Sequence, residues 1–269
     1  MGHSIAPSRR EVLCGSVAGM AALTFGAAAA TGETVAREDL AAVFRQMGLI
    51  GTFAALDVGP DRLTLVNAAR ANVRFVPAST FKIPNTLIAL ETGALRDADE
   101  MFRYDGKPRA VKAWERDMTL REAITVSNVP VYQELARRIG LDTYRVWLDR
   151  LAYGNRDAST ALERFWLDGP LAISAVEQVR FLGLLAQGRL PASARAQGIV
   201  RDIIRIEEKD GGVLFAKTGW SGTIGWWTGW IERGDRITTF ALNIDMTAVA
   251  DAPKRLELGR ALLARLGAY

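Results

Sequence analysis

Strand-forming sequence occupies the two ends of this chain and is nearly missing from its middle. Near the front, Thr52–Val58 and Arg62–Asn67 flank a Gly59-Pro60-Asp61 turn and read as a β-hairpin. Near the end, Val213–Thr218, Gly225–Glu232 and Arg236–Met246 are rich in β-branched and aromatic residues, with Gly234-Asp235 as a second hairpin turn. From about Ala78 to Gln187 the signals are mainly helical, including Leu120–Thr125, Val131–Ile139 and Ala175–Leu185. Amphipathic helices are also expected at Ala36–Gly48, where Leu40, Val43, Phe44 and Met47 share a face, and at Pro253–Leu266. This distribution predicts an α+β fold. An antiparallel five-stranded sheet is assembled from both chain ends and flanked by helices, and the helical middle packs as a lobe. A cleft between sheet and lobe is then the natural place for a ligand.

The first thirty residues stand apart. Ser8-Arg9-Arg10-Glu11-Val12-Leu13 is a twin-arginine pattern followed by an Ala/Gly-rich apolar stretch to Ala30, with small residues at Ala28 and Ala30 that suit a signal peptidase. Residues 1–30 are therefore expected to be a signal peptide, cleaved near Ala30–Thr31, which sends the domain 31–269 to the periplasm by the twin-arginine route. Nothing later in the chain is apolar for long enough to cross a bilayer, so no stable membrane anchor is expected after cleavage. The 269 residues suffice for one large domain, and 49% hydrophobic and 24% charged content are ordinary for a globular protein. The formal charge of +4 is mild, there is no Lys/Arg run, and no nucleic-acid partner is expected.

The leader also holds the only histidine, His3, and the only cysteine, Cys14. A mature chain without them cannot build a Ser-His-Asp triad, a Cys-His pair, a disulfide, or a metal site based on His or Cys. Any base working near neutral pH must be a carboxylate, a tyrosine, or a lysine with a perturbed pKa.

Ser79-Thr80-Phe81-Lys82 offers such a lysine. A spacing of three puts Ser79 and Lys82 on one face of a helical or 3₁₀ turn, although Pro84 argues against an ideal α-helix throughout. Alone the pattern is weak, since S-x-x-K occurs roughly once per chain of this length at average composition. Its neighbours strengthen it: Phe81, Ile83 and Leu87–Leu90 surround Lys82 with apolar groups, and burial lowers a lysine pKa. The neutral amine is then available as a base, or as a nucleophile toward carbon dioxide. Lys217-Thr218-Gly219, at the end of an expected strand, is rarer, at about one chance occurrence in twenty such chains. Ser127-Asn128-Val129 lies between the two in sequence, in a loop after a helix. The three motifs in this order match the kind of set found in penicillin-binding proteins and β-lactamases.

With further stretches included, the chain resembles the class D β-lactamases, the oxacillinases, over nearly all of its mature length. The matching segments are Pro77–Asn85, Asp105-Gly106-Lys107-Pro108, Trp114-Glu115-Arg116-Asp117, Ser127-Asn128-Val129-Pro130, Tyr153-Gly154-Asn155, Phe165–Gly169, Lys217-Thr218-Gly219 and Gly225–Trp230. The resemblance implies β-lactam substrates and a serine β-lactamase or transpeptidase-like fold, in a monomer or homodimer. It implies that Ser79 is the acylated nucleophile, and that Lys82 is an N6-carboxylysine acting as base. Carbon dioxide or bicarbonate is then needed, with no other cofactor and no metal. Trp166 would hold the carbamate, Ser127 would relay a proton to the lactam nitrogen, and Val129 and Leu167 would line the lysine pocket. Lys217, Thr218 and Arg255 would face the substrate carboxylate, beside Gly219. The backbone N–H groups of Ser79 and Trp220 would form the oxyanion hole.

A penicillin-binding D,D-peptidase or a penicillin-sensing domain is the alternative, acylated but slow to deacylate. Such proteins often carry a polar residue where this chain has Val129, and a polar group there would wet the lysine pocket. Two local departures from the typical class D pattern bear on which β-lactams fit: Trp220 where Phe or Tyr is usual, and a short segment between Gly219 and Gly225.

Overall fold

The computed structural model describes residues 1–2, 32–159, 161–246 and 248–268. The expected signal peptide, with His3 and Cys14, lies outside them save for its first two residues. All elements below belong to one unit, Gly32–Tyr269. In chain order these are β1 (Thr34–Ala36), α1 (Ala41–Gln46), β2 (Gly51–Asp57), β3 (Arg62–Val66), α2 (Ala68–Ala71) and α3 (Lys82–Glu91). Then come β4 (Met101–Phe102), β5 (Met118–Thr119), α4 (Leu120–Thr125), α5 (Val129–Ile139), α6 (Leu141–Arg150), α7 (Ala175–Ala186) and α8 (Ala194–Ile203). Strands β6 (Arg205–Lys209), β7 (Gly212–Ser221), β8 (Ile224–Arg233) and β9 (Arg236–Asp245) lead into α9 (Ala252–Arg265).

The α+β arrangement is as expected, and both chain ends supply the sheet. Its order is β1-β3-β2-β9-β8-β7-β6, so the five expected strands form the centre and one further strand lies at each edge. The count of five is thus corrected to seven, and the sheet is not wholly antiparallel, because β1 runs parallel to β3. Pairing rather than side-chain pattern makes both edges. Arg37 N–H donates to Leu65 O at 2.8 Å, which keeps the chain extended through Ala36 and shortens the helix expected at Ala36–Gly48 to Ala41–Gln46 after a 3₁₀ turn. Strand β6 reads Arg-Ile-Glu-Glu-Lys, a polar run held by its ladder to the first half of β7.

Alternation along the strands divides the core. Phe53 and Ala55 of β2, Trp227 of β8, and Phe240 and Leu242 of β9 meet Phe44 of α1 and Leu258, Leu262 and Leu263 of α9 on one face. Ala54, Leu56, Trp226 and Ala241 meet Ala175 and Val179 of α7 on the other. Phe215 and Trp230, stacked with centroids 4.7 Å apart, carry that second face into the lobe core built on α3–α8. Strand β6 pairs only with Gly212–Phe215, so residues 217–221 of β7 keep a free edge beside the lobe. No helix among the described residues is long and apolar enough to cross a membrane.

Candidate active site

The nucleophile turn is a 3₁₀ turn, Ala78–Phe81, running directly into α3, which starts at Lys82. Pro84 sits in the first turn of α3, where its missing N–H costs nothing. The turn is entered at Ala78 with φ 51°, a left-handed conformation that costs a non-glycine residue roughly 1–2 kcal/mol. Several contacts hold it there. Ala78 N–H donates to Trp166 O at 2.9 Å, and the Thr80 hydroxyl donates to Pro77 O at 2.6 Å. Gln178 of α7 reaches across to donate to Thr80 Oγ1 at 3.0 Å.

On this turn Lys82 Nζ is hydrogen-bonded to Ser79 Oγ at 2.9 Å. Lys82 is 1% exposed, and its amine lies 5.0 Å from the Tyr132 ring centroid. Burial first, and then the nearby charge of Lys217, hold its pKa well below the usual lysine value. Val129 lies one turn before Tyr132 on α5, so the two share the face turned to α3. Both Val129 and Leu167 pack with the lobe core. Trp166 is 1% exposed and stacks on Phe81 with centroids 5.6 Å apart.

Ser127 closes the second side. It sits between α4 and α5 with φ 55°, and Asn128 next to it caps α5 by accepting from Val131 N–H at 3.1 Å. Lys217 Nζ donates to Ser127 Oγ at 3.1 Å and to Thr218 O at 3.0 Å. Burial, and secondarily Arg255, bring the Lys217 pKa down to about 7. Alternation puts Lys217, Gly219 and Ser221 on the lobe face of β7, with Thr218 and Trp220 on the alternate positions. A Cβ on Gly219 would stand 3.0 Å from Pro77 O and 3.2 Å from Thr80 N, so glycine lets the strand lie against the nucleophile turn. Trp220 is 39% exposed and its indole N–H donates to Gly222 O at 3.1 Å.

Arg255, on α9, donates through Nη1 to Gly219 O at 2.5 Å and through Nε to Ala252 O at 3.1 Å. Its path crosses β8 at Gly225, where a Cβ would meet Arg255 Cδ at 3.0 Å. Ser79, Lys82, Ser127, Lys217 and Gly219 therefore meet between β7, the nucleophile turn and the lobe, with Val129, Trp166 and Leu167 packed in the lobe core, while Thr218 and Trp220 take the alternate positions of β7 and Arg255 reaches Gly219 O from α9. Sequence reasoning missed Gln178 and Tyr132, and gave Gly225 no role beyond its place in the Gly225–Trp230 segment. Gln178 and Gly225 act through tertiary contacts that no local pattern marks, whereas Tyr132 was open to the face-sharing argument with Val129. Lys82, Lys217 and Arg255 are the buried charged side chains among the described residues, and no carboxylate is buried with them. No group of three or more His, Cys, Asp and Glu side chains among those residues could hold a metal ion.

Residues 45–264 match the penicillin binding protein transpeptidase domain. β-Lactamase OXA-5 of Pseudomonas aeruginosa is 40% identical over 261 residues, covering 94% of this chain and 97% of its own length. β-Lactamase OXA-2 of Salmonella typhimurium is 42% identical over 86% of this chain and 85% of its own. Among solved structures, FUS-1 (OXA-85), a class D β-lactamase from Fusobacterium nucleatum subsp. polymorphum, superposes with a TM-score of 0.83 at 43% identity, covering 86% of this chain and 98% of that one. A class D β-lactamase from Nostoc has the same TM-score at 38% identity, covering 86% of this chain and 99% of that one. With the serine–lysine pair, the second serine and the lysine strand in one cleft, and with these likenesses over most of its length, the chain belongs to the class D β-lactamases.

Proposed function

We propose that the chain hydrolyses the β-lactam amide bond of penicillins and related antibiotics through a serine acyl-enzyme, and so confers resistance. The contact that carries this reading is Ser79 Oγ at 2.9 Å from a buried Lys82 amine with a strongly lowered pKa. Ser79 Oγ forms an ester with the lactam carbonyl carbon as the C–N bond breaks. Ser127, bonded to Lys217, hands a proton to the leaving nitrogen. The backbone N–H groups of Ser79 and Trp220 receive the developing oxyanion, where each such donor is worth about 3 kcal/mol or more. Lys217, Thr218 and Arg255 hold the substrate carboxylate beside Gly219. Water then cleaves the ester and frees the ring-opened acid.

Lys82 fits an N6-carboxylysine, because a carbamate forms only on a neutral amine and the lysine environment disfavours the charged one. Carbon dioxide bound there supplies the general base for acylation and for the deacylating water. Trp166 would hold it by its indole N–H, in a pocket kept dry by Val129 and Leu167. No metal or other cofactor enters this reading. We assign residues 1–30 to a cleaved twin-arginine signal peptide and 31–269 to the periplasmic catalytic domain.

The test uses purified residues 31–269 and a chromogenic cephalosporin, after acidic dialysis, with and without bicarbonate. Repeated turnover stimulated by bicarbonate supports the mechanism. A single stoichiometric burst with no further hydrolysis would refute it and leave a protein that binds penicillins without destroying them.

A further inference from the structure

On the α9 face of the sheet, away from the nucleophile turn, the apolar core stops where α9 ends at Arg265. Register sets Ala55 of β2 beside Thr64 of β3, and Asp57 between Arg62 of β3 and Thr238 of β9. Ala55 belongs to the core under α9, so alternation turns Asp57, two residues on, to the same face. These groups floor a cavity of about 160 Å³. Its rim is cationic: Arg37 just after β1, Arg62, Arg236 at the start of β9, and Arg265 in the last turn of α9.

Three of the four guanidiniums already hold a carboxylate. Arg37 pairs with Asp39 at 2.7 Å, Arg62 with Glu33 at 3.1 Å and Arg236 with Asp57 at 3.0 Å. A guanidinium has five N–H donors and a carboxylate engages two of them in a bidentate pair, so each keeps donors to spare. Arg265 has no carboxylate partner among the described residues; its Nη1 donates to Ala261 O, in its own helix, at 3.1 Å. These guanidiniums thus carry one positive charge in excess of their acids. The floor points the same way. Thr238 is 5% exposed and lines the cavity, yet its hydroxyl makes no hydrogen bond to another described residue. A buried hydroxyl left unpaired is costly, and an anion in the recess would accept from it. We infer that this recess binds a small oxyanion of the phosphate class, held by Arg265 and by the spare donors of its three neighbours above the Thr238 hydroxyl. At about 30 Å³ per water the recess has room for roughly five, enough for a tetrahedral oxyanion with part of its water shell. It is too small for a β-lactam, since pockets for drug-sized ligands run to roughly 300 Å³ or more. The site is independent of the hydrolase reading. An anion held there joins β3 and β9 to β1 and α9, near the two chain ends, and stabilises the fold by mass action.

The probe is inorganic phosphate, titrated by calorimetry into the purified mature protein near neutral pH, with chloride adjusted to hold ionic strength constant because diffuse attraction is screened by salt. Wild type should take up phosphate saturably at this site, with a Kd on the order of 1 mM. Arg265→Gln should weaken binding about tenfold, the scale of one charge-assisted hydrogen bond, and Thr238→Val about fivefold, the scale of a neutral one. Lys217→Met removes the other buried cation that phosphate could find, in the serine–lysine cleft, and should bind as wild type does. Thermal melting in chloride alone establishes that each variant is folded. No saturable uptake by wild type, up to roughly twenty times that Kd, overturns the site. Wild-type affinity in folded Arg265→Gln or folded Thr238→Val also overturns it, as does loss of binding in Lys217→Met, which would place the phosphate in the cleft.

Discussion

Replacing Lys217 by Met should make the protein more stable and reshape how its stability depends on pH. Lys217 ionises near pH 7 in the folded chain against 10.5 for an ordinary lysine. Between those values the unfolded chain binds one proton more than the folded one, so stability rises with pH by about 1.4 kcal/mol per unit from this group alone. It is lost again as the pH falls from 10.5 to 7, and below 7 the burial penalty stands in full. From pH 7 to 9 the wild type should therefore gain roughly 2.5 kcal/mol that Lys217→Met does not. At pH 7 the variant escapes a penalty of about 4–5 kcal/mol and loses the hydrogen bonds to Ser127 and Thr218, worth roughly 1–2 kcal/mol together, for a net gain of about 3. Urea unfolding of both proteins at pH 7 and 9, in bicarbonate-free buffer, measures this, since the other titrating groups are common to both and only Lys82, whose pKa Lys217 lowers as the lesser cause after burial, titrates differently. A stability difference that is the same at both pH values would refute the argument, because it would mean Lys217 is charged in the folded chain throughout.

Lys82→Ala should abolish turnover while the melting temperature stays close to wild type, since removing a buried lysine of lowered pKa offsets the cavity; undiminished hydrolysis would sink the mechanism. Trp166→Ala should slow deacylation more than acylation, with partial recovery on adding bicarbonate, as read by acyl-enzyme accumulation in stopped flow. Fast breakdown with no bicarbonate response would count against a carboxylated Lys82. Gly225→Ala puts a methyl 3.0 Å from Arg255 Cδ and 2.8 Å from Met246 Sδ, and should displace the guanidinium from Gly219. Loss of a charge-assisted contact worth about 1.5–3 kcal/mol predicts a KM roughly 10- to 100-fold higher with kcat nearly unchanged. Equal falls in kcat and kcat/KM would place Arg255 in the chemical step instead.

The five central strands were legible because each is long enough for its alternation to be seen, as at Phe53-Ala54-Ala55-Leu56, whose members divide between two cores. The edge strands were not. Thr34–Ala36 is too short to show a period, and Arg205–Lys209 has one apolar residue in five, so only the backbone of the neighbouring strand makes either a strand. The site shows the same division. Ser79 to Lys82 and Lys217 to Gly219 are contiguous, and contiguity is what a sequence displays. Gln178 lies 98 residues from Thr80, which it braces, and Ser221 lies 54 from Leu167, to whose carbonyl its hydroxyl donates. Such pairs exist only once the sheet has brought the two chain ends around the lobe.

That assembly buries three basic side chains in sequence of influence: burial first, and then the charge of Arg255, lowers the pKa of Lys217, and burial first, and then the charge of Lys217, lowers that of Lys82. A folded core normally offsets such charges with carboxylates, and here none is buried beside them. Destabilisation of this kind is specific in what relieves it. An anion arriving between Lys217 and Arg255 restores favourable charge there, and a negative group on Lys82 does the same at the far end. A neutral molecule of the same shape gains neither. The electrostatics that burden the fold thus favour an anionic substrate over a neutral analogue, and they do so before any contact with the rest of the substrate is made. Lys217→Met should therefore flatten the discrimination between a β-lactam and its carboxyl ester, and the stability it gains measures what the native chain commits to recognising that charge.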